Sequence, residues 1–513
     1  MNFYQDSTKA SATKRNLAVA GVMLVIFLFA IDATIVSTSM PTIVARLGGL
    51  ELYSWVFSIY MLTSALTTPL FGKLADLFSH RRLMLIGIGI FVLGSTLCGA
   101  AQSMEALVLF RAIQGLGGGA IYALAFIVVG VLFPPTERAK MQGIISSIWG
   151  ISSILGPLAG GLIVEHTSWR WVFFVNLPIT AIAVGLITVG LKEEKTERHT
   201  PKLDLMGASS LLLGLILMFY ALSQSAHGRQ PLNAEMLSIL GLSMAVLIFF
   251  YFIERRAAEP MIPLDLFHLH LYRTSTVVAT LAAMGVFGAI SYLPLYLQGV
   301  VGMSASGAGM ILLLLSLGWT AGSLIAGQGI NRLGYRSVAS MGMSCMAVGF
   351  GIFVLTGHPV SFLLVLLASL LIGLGMGTAN LTTLVAAQNA VPIRRIGVAT
   401  STLMLFRTFG GAFCISLMGT VLFNRMQQGL EKIGDNLSST LRDTVANPQN
   451  LLEPVTRASI PPDFLPQLID LLADSIWYAF LTAFLLMIIG CAVSTGMGSF
   501  TPASTPRPDG EAS

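Results

Sequence analysis

Three observations predict an all-α integral membrane protein of about fourteen transmembrane helices. Of 513 residues, 55% are hydrophobic and only 10% charged, with a mean hydropathy of +0.80. A soluble globular chain carries roughly 25% charged residues, so a surface this poor in charge requires lipid as its solvent. Apolar stretches of the length one crossing needs, about 20 residues, recur along nearly the whole chain. Lysine and arginine gather in alternate connections between them.

The apolar runs place helices at 17–40, 51–71, 83–101, 105–133, 140–164, 171–191, 205–224, 235–253, 274–297, 304–327, 337–356, 361–389, 397–422 and 475–495. Lys9, Lys14 and Arg15 precede the first run, which continues to Met40 without a small-residue cleavage site. It is read as a retained helix rather than a signal peptide. An even number of crossings puts both termini on one side. With the N-terminus inside, about 20 basic residues fall on cytoplasmic segments against about 7 outside. The excess includes Lys73, Arg81, Arg82, Lys192, Lys195, Arg198, Lys202, Arg255, Arg256, Arg394 and Arg395. Both termini are therefore expected in the cytoplasm of a cell with this chain in its inner (plasma) membrane. The net charge of +5 is what basic loops produce and does not point to nucleic acid.

One connection, 424–474, is long and polar and is expected outside. Met426, Leu430, Ile433, Leu437, Leu441 and Val445 recur there every three or four residues, as in an amphipathic helix. Pro454, Pro461 and Pro462 interrupt, and a second helix is expected to start near Asp463. Two readings stay open: a solvated connector lying on the membrane surface, or a cap or docking surface over the outer mouth.

The chain also repeats itself. Gly72-Lys-Leu-Ala-Asp76, running on to Arg81, follows the second helix, and Gly327 to Arg336, with Asn331, Arg332 and Gly334, follows the tenth. Each precedes a helix and then a glycine-rich one, at Gly115 to Gly119 and at Gly373 to Gly377. Both copies fall on the same side, which makes the repeat parallel. The expected plan is a six-helix bundle at 1–193, two inserted helices at 194–260, a second bundle at 261–495 and a cytoplasmic tail at 496–513.

Enzyme chemistry finds little support. Cys98, Cys345, Cys414 and Cys491 all fall inside apolar segments, where free thiols act as small apolar residues. The histidines lack zinc-site spacing, so no metal and no cofactor are expected. Gly115 to Gly119 follows an arginine in a membrane helix rather than a strand, which rules out a dinucleotide loop. A phosphate-binding Gly-Lys-Ser/Thr loop is missing, so ATP is not the energy source.

The informative residues are charges inside apolar helices. Asp32 is the carboxylate placed well inside a helix, where a charge costs at least about 2.5–3.5 kcal/mol. Burial and a nearby cation shift a carboxyl in opposite directions, so such a group can bind and release protons. Arg111 lies in the first turns of the fourth helix and Arg407 midway along the thirteenth. Both stay charged and need acceptors. Tyr60, Tyr122, Trp149, Tyr292, Asn380, Gln388, Phe406 and Arg407 are candidate cavity residues, being large or polar groups on helices otherwise short of both.

Several motifs together resemble the major facilitator superfamily, specifically the fourteen-helix EmrB/QacA-type drug:proton antiporters. They are Ile31-Asp32-Ala-Thr34 to Pro41, Gly72 to Arg82, and Arg111-Ala-Ile-Gln114-Gly115. Gly150, Gly156-Pro157 and Gly160-Gly161 match the fifth-helix antiporter motif, and Trp169-Arg170-Trp171, Asn176 and Pro178 match the fourteen-helix branch. The resemblance implies two six-helix bundles around a central cavity plus two extra helices. It implies proton coupling by Asp32 and Arg111. Gly72, Asp76, Arg81, Arg332 and Gly334, with the fifth-helix glycines and Pro157, would serve conformational change. Asp76 is expected to latch the bundles through the start of the fifth helix or through Arg81 and Arg82. Leu77 and Ser79 stand where the family has Arg and Gly, and Asn331 replaces an acid in the second copy.

The function so implied is proton-driven efflux of varied amphipathic compounds by antiport, with small substrates, protons and the lipid bilayer as partners. The rivals are a dedicated exporter of one antibiotic, natural product or lipid on the same fold, a proton-coupled importer, and an intramembrane sensor or enzyme. With Asp32 as the deep acid, few protons should be exchanged per cycle, and neutral or singly charged substrates should be favoured. Arg407 would admit anionic groups if it faces the cavity.

Overall fold

Backbone polar groups have no water to bond inside a bilayer, so the chain must satisfy them within each segment, and helices are the only regular elements among the described residues. The computed structural model describes residues 12–48, 52–191, 204–226, 234–257, 260, 262–356, 360–433, 460–461 and 464–498. The N-terminal half consists of α1 (Ala12–Leu47), α2 (Tyr53–Leu77), α3 (His80–Ala100), α4 (Met104–Leu132), α5 (Pro135–His166), α6 (Trp171–Phe174) and α7 (Asn176–Gly190). Then come α8 (Leu205–Ala226) and α9 (Ala234–Glu254). The C-terminal half consists of α10 (His270–Gly299), α11 (Ala305–Leu355), α12 (Phe362–Asn389), α13 (Ile396–Ile433) and α14 (Leu465–Thr495).

Local chemistry sets several of these ends. The Ser103 and Ser304 hydroxyls accept from Ala106 N and Gly307 N at the starts of α4 and α11, satisfying donors that the first turn leaves open. Pro135 opens α5, where a missing N–H costs nothing. In α11 the helix breaks at Gly334, whose φ of 76° only glycine adopts readily. The chain reverses there. Gly318 and Gly322, before the break, lie against Leu370 to Leu374 of α12, and Gly342 and Gly349, after it, lie against Ala368 to Ala379 of the same helix.

Among the described residues eleven helices are long and apolar enough to cross a membrane, where fourteen crossings were expected. The difference has physical causes. The reversing α11 enters as one stretch, Gly307–Leu355. In α8 the apolar run covers only Met206–Met218. In α2 the apolar face is diluted by Thr63, Ser64, Thr67 and Thr68, and the last turns carry Lys73 and Asp76. Other boundaries also moved. The last helix and the one expected near Asp463 are a single helix, α14. The thirteenth continues to Ile433, burying Met426 and Leu430. Leu437, Leu441 and Val445, like Lys9, Lys192, Lys195, Arg198 and Lys202 and most of the 496–513 tail, lie outside the described residues.

Each half has its own apolar core, and the cores merge at one end. Leu384, Ala387, Val391, Ile396 and Val398 of the C-terminal half are buried in the same cluster as Phe126 and Phe133. This end carries Lys73, Arg81, Arg138, Lys140, Arg332 and Arg394 and is hereafter the basic end. Helices α8 and α9 pack on one another, and α8 covers the seam between halves, where Leu66 of α2 and Leu405 of α13 join one apolar cluster.

Candidate functional site

Four helices converge on one buried carboxylate. Asp32 of α1 and Arg111 of α4 are 0% and 1% exposed, and Arg111 Nη1 lies 2.5 Å from Asp32 Oδ2. Gln114 Nε2, one turn further along α4, donates to Asp32 Oδ1 at 2.7 Å. Asn176 Nδ2 of α7 approaches the same oxygen at 3.4 Å and donates to Ser95 Oγ of α3 at 3.0 Å. Arg111 also donates to Val56 O at 3.2 Å and to Gln114 Oε1 at 2.9 Å. Its guanidinium lies 4.1 Å from the centre of the Tyr60 ring, a favourable face for a cation.

The Trp169-Arg170-Trp171 sequence that leads into α6 is what puts Asn176 in place. Arg170 Nη1 donates to Gly99 O and Ala101 O at the end of α3, at 2.8 and 2.7 Å. Ser95 Oγ donates to Phe173 O at 2.8 Å. These bonds pin the break between α6 and α7 against α3, so α7 begins with Asn176 facing Asp32.

Three side-chain donors aimed at two carboxylate oxygens suit the ionised acid. Besides Asp32, Arg111 holds the Val56 carbonyl, the Gln114 oxygen and the Tyr60 ring. A buried pair of this kind is expensive to break by removing one partner, about 3–5 kcal/mol. The pair therefore ties α1 firmly to α4.

Beside this site lies an aromatic wall. Phe29 stacks on Tyr122 at 4.9 Å and meets Trp149 edge-on at 5.7 Å, and Tyr122 lies 6.3 Å from Trp149. Tyr60 joins the wall through Phe29, at 5.8 Å, and joins the acid site through Arg111.

At the basic end the two halves are held together by polar contacts. Both oxygens of Asp76 accept from backbone N–H groups at the start of α13, Gly397 and Val398, each at 2.8 Å. This corrects the expectation that Asp76 reaches the start of the fifth helix; the α5 side of the repeat is met instead by Asn331 Nδ2, which donates to Thr136 O at 2.7 Å. An N–H pair at a helix start is the better match for a carboxylate, because the helix dipole adds to the hydrogen bonds. Gln142 of α5 donates to Gln388 Oε1 at 3.2 Å, and Gln388 Nε2 donates to Thr400 Oγ1 at 3.0 Å. Arg138 Nη1 donates to Asn389 Oδ1, and Asn389 Nδ2 donates to the Tyr335 hydroxyl at 2.7 Å.

The expected residues are thus divided among several places. Gln388 sits in the closure between halves rather than in an open cavity, because its amide is consumed by α5 and α13 partners. Tyr292 is buried between α10 and α13, with its hydroxyl on Ile415 O at 2.7 Å. Phe406 is 38% exposed and lies edge-on to Phe267. Asn380 and Arg407 are buried. Gly72 meets Ser401, Gly150 meets Thr320 across the halves, and Gly156 and Gly160 meet Thr34 and Thr38 of α1. Gly161 faces open space, so it takes no part in that seam. Pro157 lies within α5, and its side chain is outside the described residues. Arg81 is half-buried at the start of α3, and Arg332 is exposed beside the Gly334 reversal. Ser95, Gln142, Arg138 and Asn389 were not singled out; the available signal was a polar side chain at the level of the apolar core.

Comparison with known proteins agrees with this architecture. The Major Facilitator Superfamily model matches residues 22–414. Multidrug transporter protein MdtP of Bacillus subtilis (strain 168) is 33% identical over 504 residues, spanning 94% of this chain and 93% of its own length. Multidrug resistance protein 3 of the same organism is 33% identical, spanning 96% and 97%. Efflux pump FUS6 of Gibberella moniliformis (strain M3125 / FGSC 7600) is 30% identical, spanning 95% and 88%. Among solved structures, the human organic anion transporter MFSD10 (TETRAN) superposes with a TM-score of 0.61 at 17% identity, covering 92% of this chain and 99% of that one.

Proposed function

Because the chain belongs to the major facilitator superfamily, we propose that it is a proton-driven exporter of amphipathic compounds, working by alternating access between its halves. The observation that carries this reading is the buried Asp32–Arg111 pair with Gln114 and Asn176 around it. An ionisable group at membrane depth is costly, and such groups mark proton and ion pathways. Efflux and multidrug transport are named in relatives spanning nearly the whole chain, which supports the direction and the breadth of transport.

In this reading the basic end is cytoplasmic, both termini are inside the plasma membrane, and the described state is closed to the cytoplasm. Asp76, Gln142 and Gln388 close it. Helix α5 transmits the change, since it packs on α1 through Gly156 and Gly160 and on α11 through Gly143 and Gly150. Thr34, beside Asp32 in sequence, donates to Ser152 O of α5 at 3.1 Å. Protonation of Asp32 loosens α1 from α4, α5 shifts with α1, and the α5–α11 seam opens. The proton and the substrate thereby use one set of moving contacts on alternate strokes.

The proposed plan has fourteen crossings, as in the EmrB/QacA branch. It is reached by adding α2 and α8 to the eleven apolar helices and counting the two arms of α11 separately. Segments 1–193 and 261–495 form the two bundles, and 194–260 holds the inserted pair.

The test is substrate-stimulated proton release from proteoliposomes of the purified chain, screened over cationic, neutral and anionic amphiphiles. Proton movement that depends on a compound, and compound movement that depends on a pH gradient, are the expected result. Transport insensitive to the pH gradient for every transported compound would refute the reading.

A further inference from the structure

The aromatic wall has a counterpart of different chemistry in the other half. Gly115 and Gly373, which open the two glycine-rich segments, are 258 residues apart. The same step carries Phe29 to Phe287, Tyr122 to Asn380 and Trp149 to Arg407. In a parallel repeat the halves are related by an axis along the membrane normal, so equivalent residues face one another across that axis at one depth. Helix periodicity places them alike. Trp149 lies seven residues, two turns, beyond Gln142 on one face of α5, and Arg407 lies seven beyond Thr400 on one face of α13. Gln142 and Thr400 both bond to Gln388 in the closure. The repeat therefore puts Arg407 two turns from the closure, at the depth that Trp149 holds in the other half.

Among the described residues, Arg407 Nε and Asn380 Oδ1 meet no hydrogen-bond partner, although Arg407 is only 7% and Asn380 only 5% exposed. Arg111 is as deeply placed and has Asp32. A guanidinium cannot shed its proton, and a buried charge needs a compensating one. A transported anion would provide it.

We propose that Arg407, with Asn380, is an anion-binding pole between the two halves, so that the exported compounds are amphiphiles with one carboxylate or sulfonate on a flat apolar body. The body lies against Phe29, Tyr122 and Trp149, and the acidic group meets the guanidinium. This rests on the exporter reading above and gives it a substrate class. Exchange of one such anion outward for one proton inward moves two charges across the membrane, whereas a neutral compound moves one.

The test is binding of three matched probes, pyrenebutyrate, pyrenebutyramide and pyrenebutylamine, to the purified full chain by titration calorimetry. The wild type is expected to bind the acid about 10- to 100-fold tighter than the amide, as charge-assisted contacts in a buried site allow. Arg407→Gln should abolish that preference while leaving the amide within about twofold, the range of an uninvolved side chain. Equal affinity of acid and amide in the wild type, or a preference surviving in Arg407→Gln, overturns the site. Should Arg407→Gln lose the amide as well, the wild type decides. Pyrenebutyrate must then shield Arg407 from phenylglyoxal more than the amide does, and equal shielding overturns the proposal. Transport that ignores the pH gradient would refute proton-driven export yet leave this binding difference standing, so the two failures are distinguishable.

Discussion

Adding one methyl group at Gly156 separates close helix packing from mere glycine content. A Cβ there would lie 2.0 Å from Thr34 Oγ1, 2.7 Å from Thr34 Cβ and 3.2 Å from Ile35 N. The hydroxyl can swing aside by giving up its bond to Ser152 O. Thr34 Cβ and the backbone cannot, so α5 must back away from α1. Overpacking of this sort costs about 1–3 kcal/mol. Borne by one of two access states, that energy shifts their ratio by roughly 5- to 150-fold. Gly161 is the control, because a Cβ there meets nothing within 4 Å. The readout is a disulfide between cysteines placed at Thr136 and Asn331, which touch across the halves at the basic end, in a chain whose four native cysteines are replaced. Gly156→Ala should lower the crosslink yield and slow transport, and Gly161→Ala should change neither. Indistinguishable behaviour of the two variants would refute the role of the seam.

Three further outcomes are expected. Asp76→Asn keeps one acceptor oxygen for two N–H donors at the start of α13, costs about 1–3 kcal/mol at the basic end, and should lower the same crosslink yield; an unchanged yield contradicts the latch. Gly72→Ala would set a Cβ 1.9 Å from Ser401 Oγ and should impair transport, with Ser401→Gly restoring it as coupled neighbours do; absence of rescue places the damage elsewhere. Singly charged or neutral amphiphiles should leave proteoliposomes far faster than matched divalent cations, because Asp32 is already paired and Arg407 repels cations; strong dication export under a pH gradient would contradict this.

The parts of this molecule that lipid dictates were legible in the sequence. Apolar runs located the helices, Gly334 marked the reversal between Arg332 and Arg336, and the cost of a charge in lipid singled out Asp32 and Arg111. Helix ends were less legible where the chain turns polar. Thr136 to Lys140 form the first turns of α5, and Asn424 to Ile433 extend α13, although neither stretch is apolar. Neutral polar residues carry no such signal, since Ser95, Asn176 and Gln142 are affordable in any membrane helix that finds them one partner. Cross-half pairing was the hardest to read. The two loop copies look alike, but Asp76 meets α13 and Asn331 meets α5, a choice fixed by how the bundles face one another.

If Asp32 carries the coupled proton, Asp32→Asn must uncouple efflux from the pH gradient. The variant keeps an acceptor for Gln114 and Asn176 but cannot ionise. Proton-gradient-driven efflux should be measured in proteoliposomes for the wild type, Asp32→Asn and Asp32→Glu, with probe binding recorded for each. Asp32→Asn should bind probe but stop responding to the pH gradient, and Asp32→Glu should retain part of the response. Efflux by Asp32→Asn driven by the pH gradient at the wild-type rate would contradict the coupling role of Asp32.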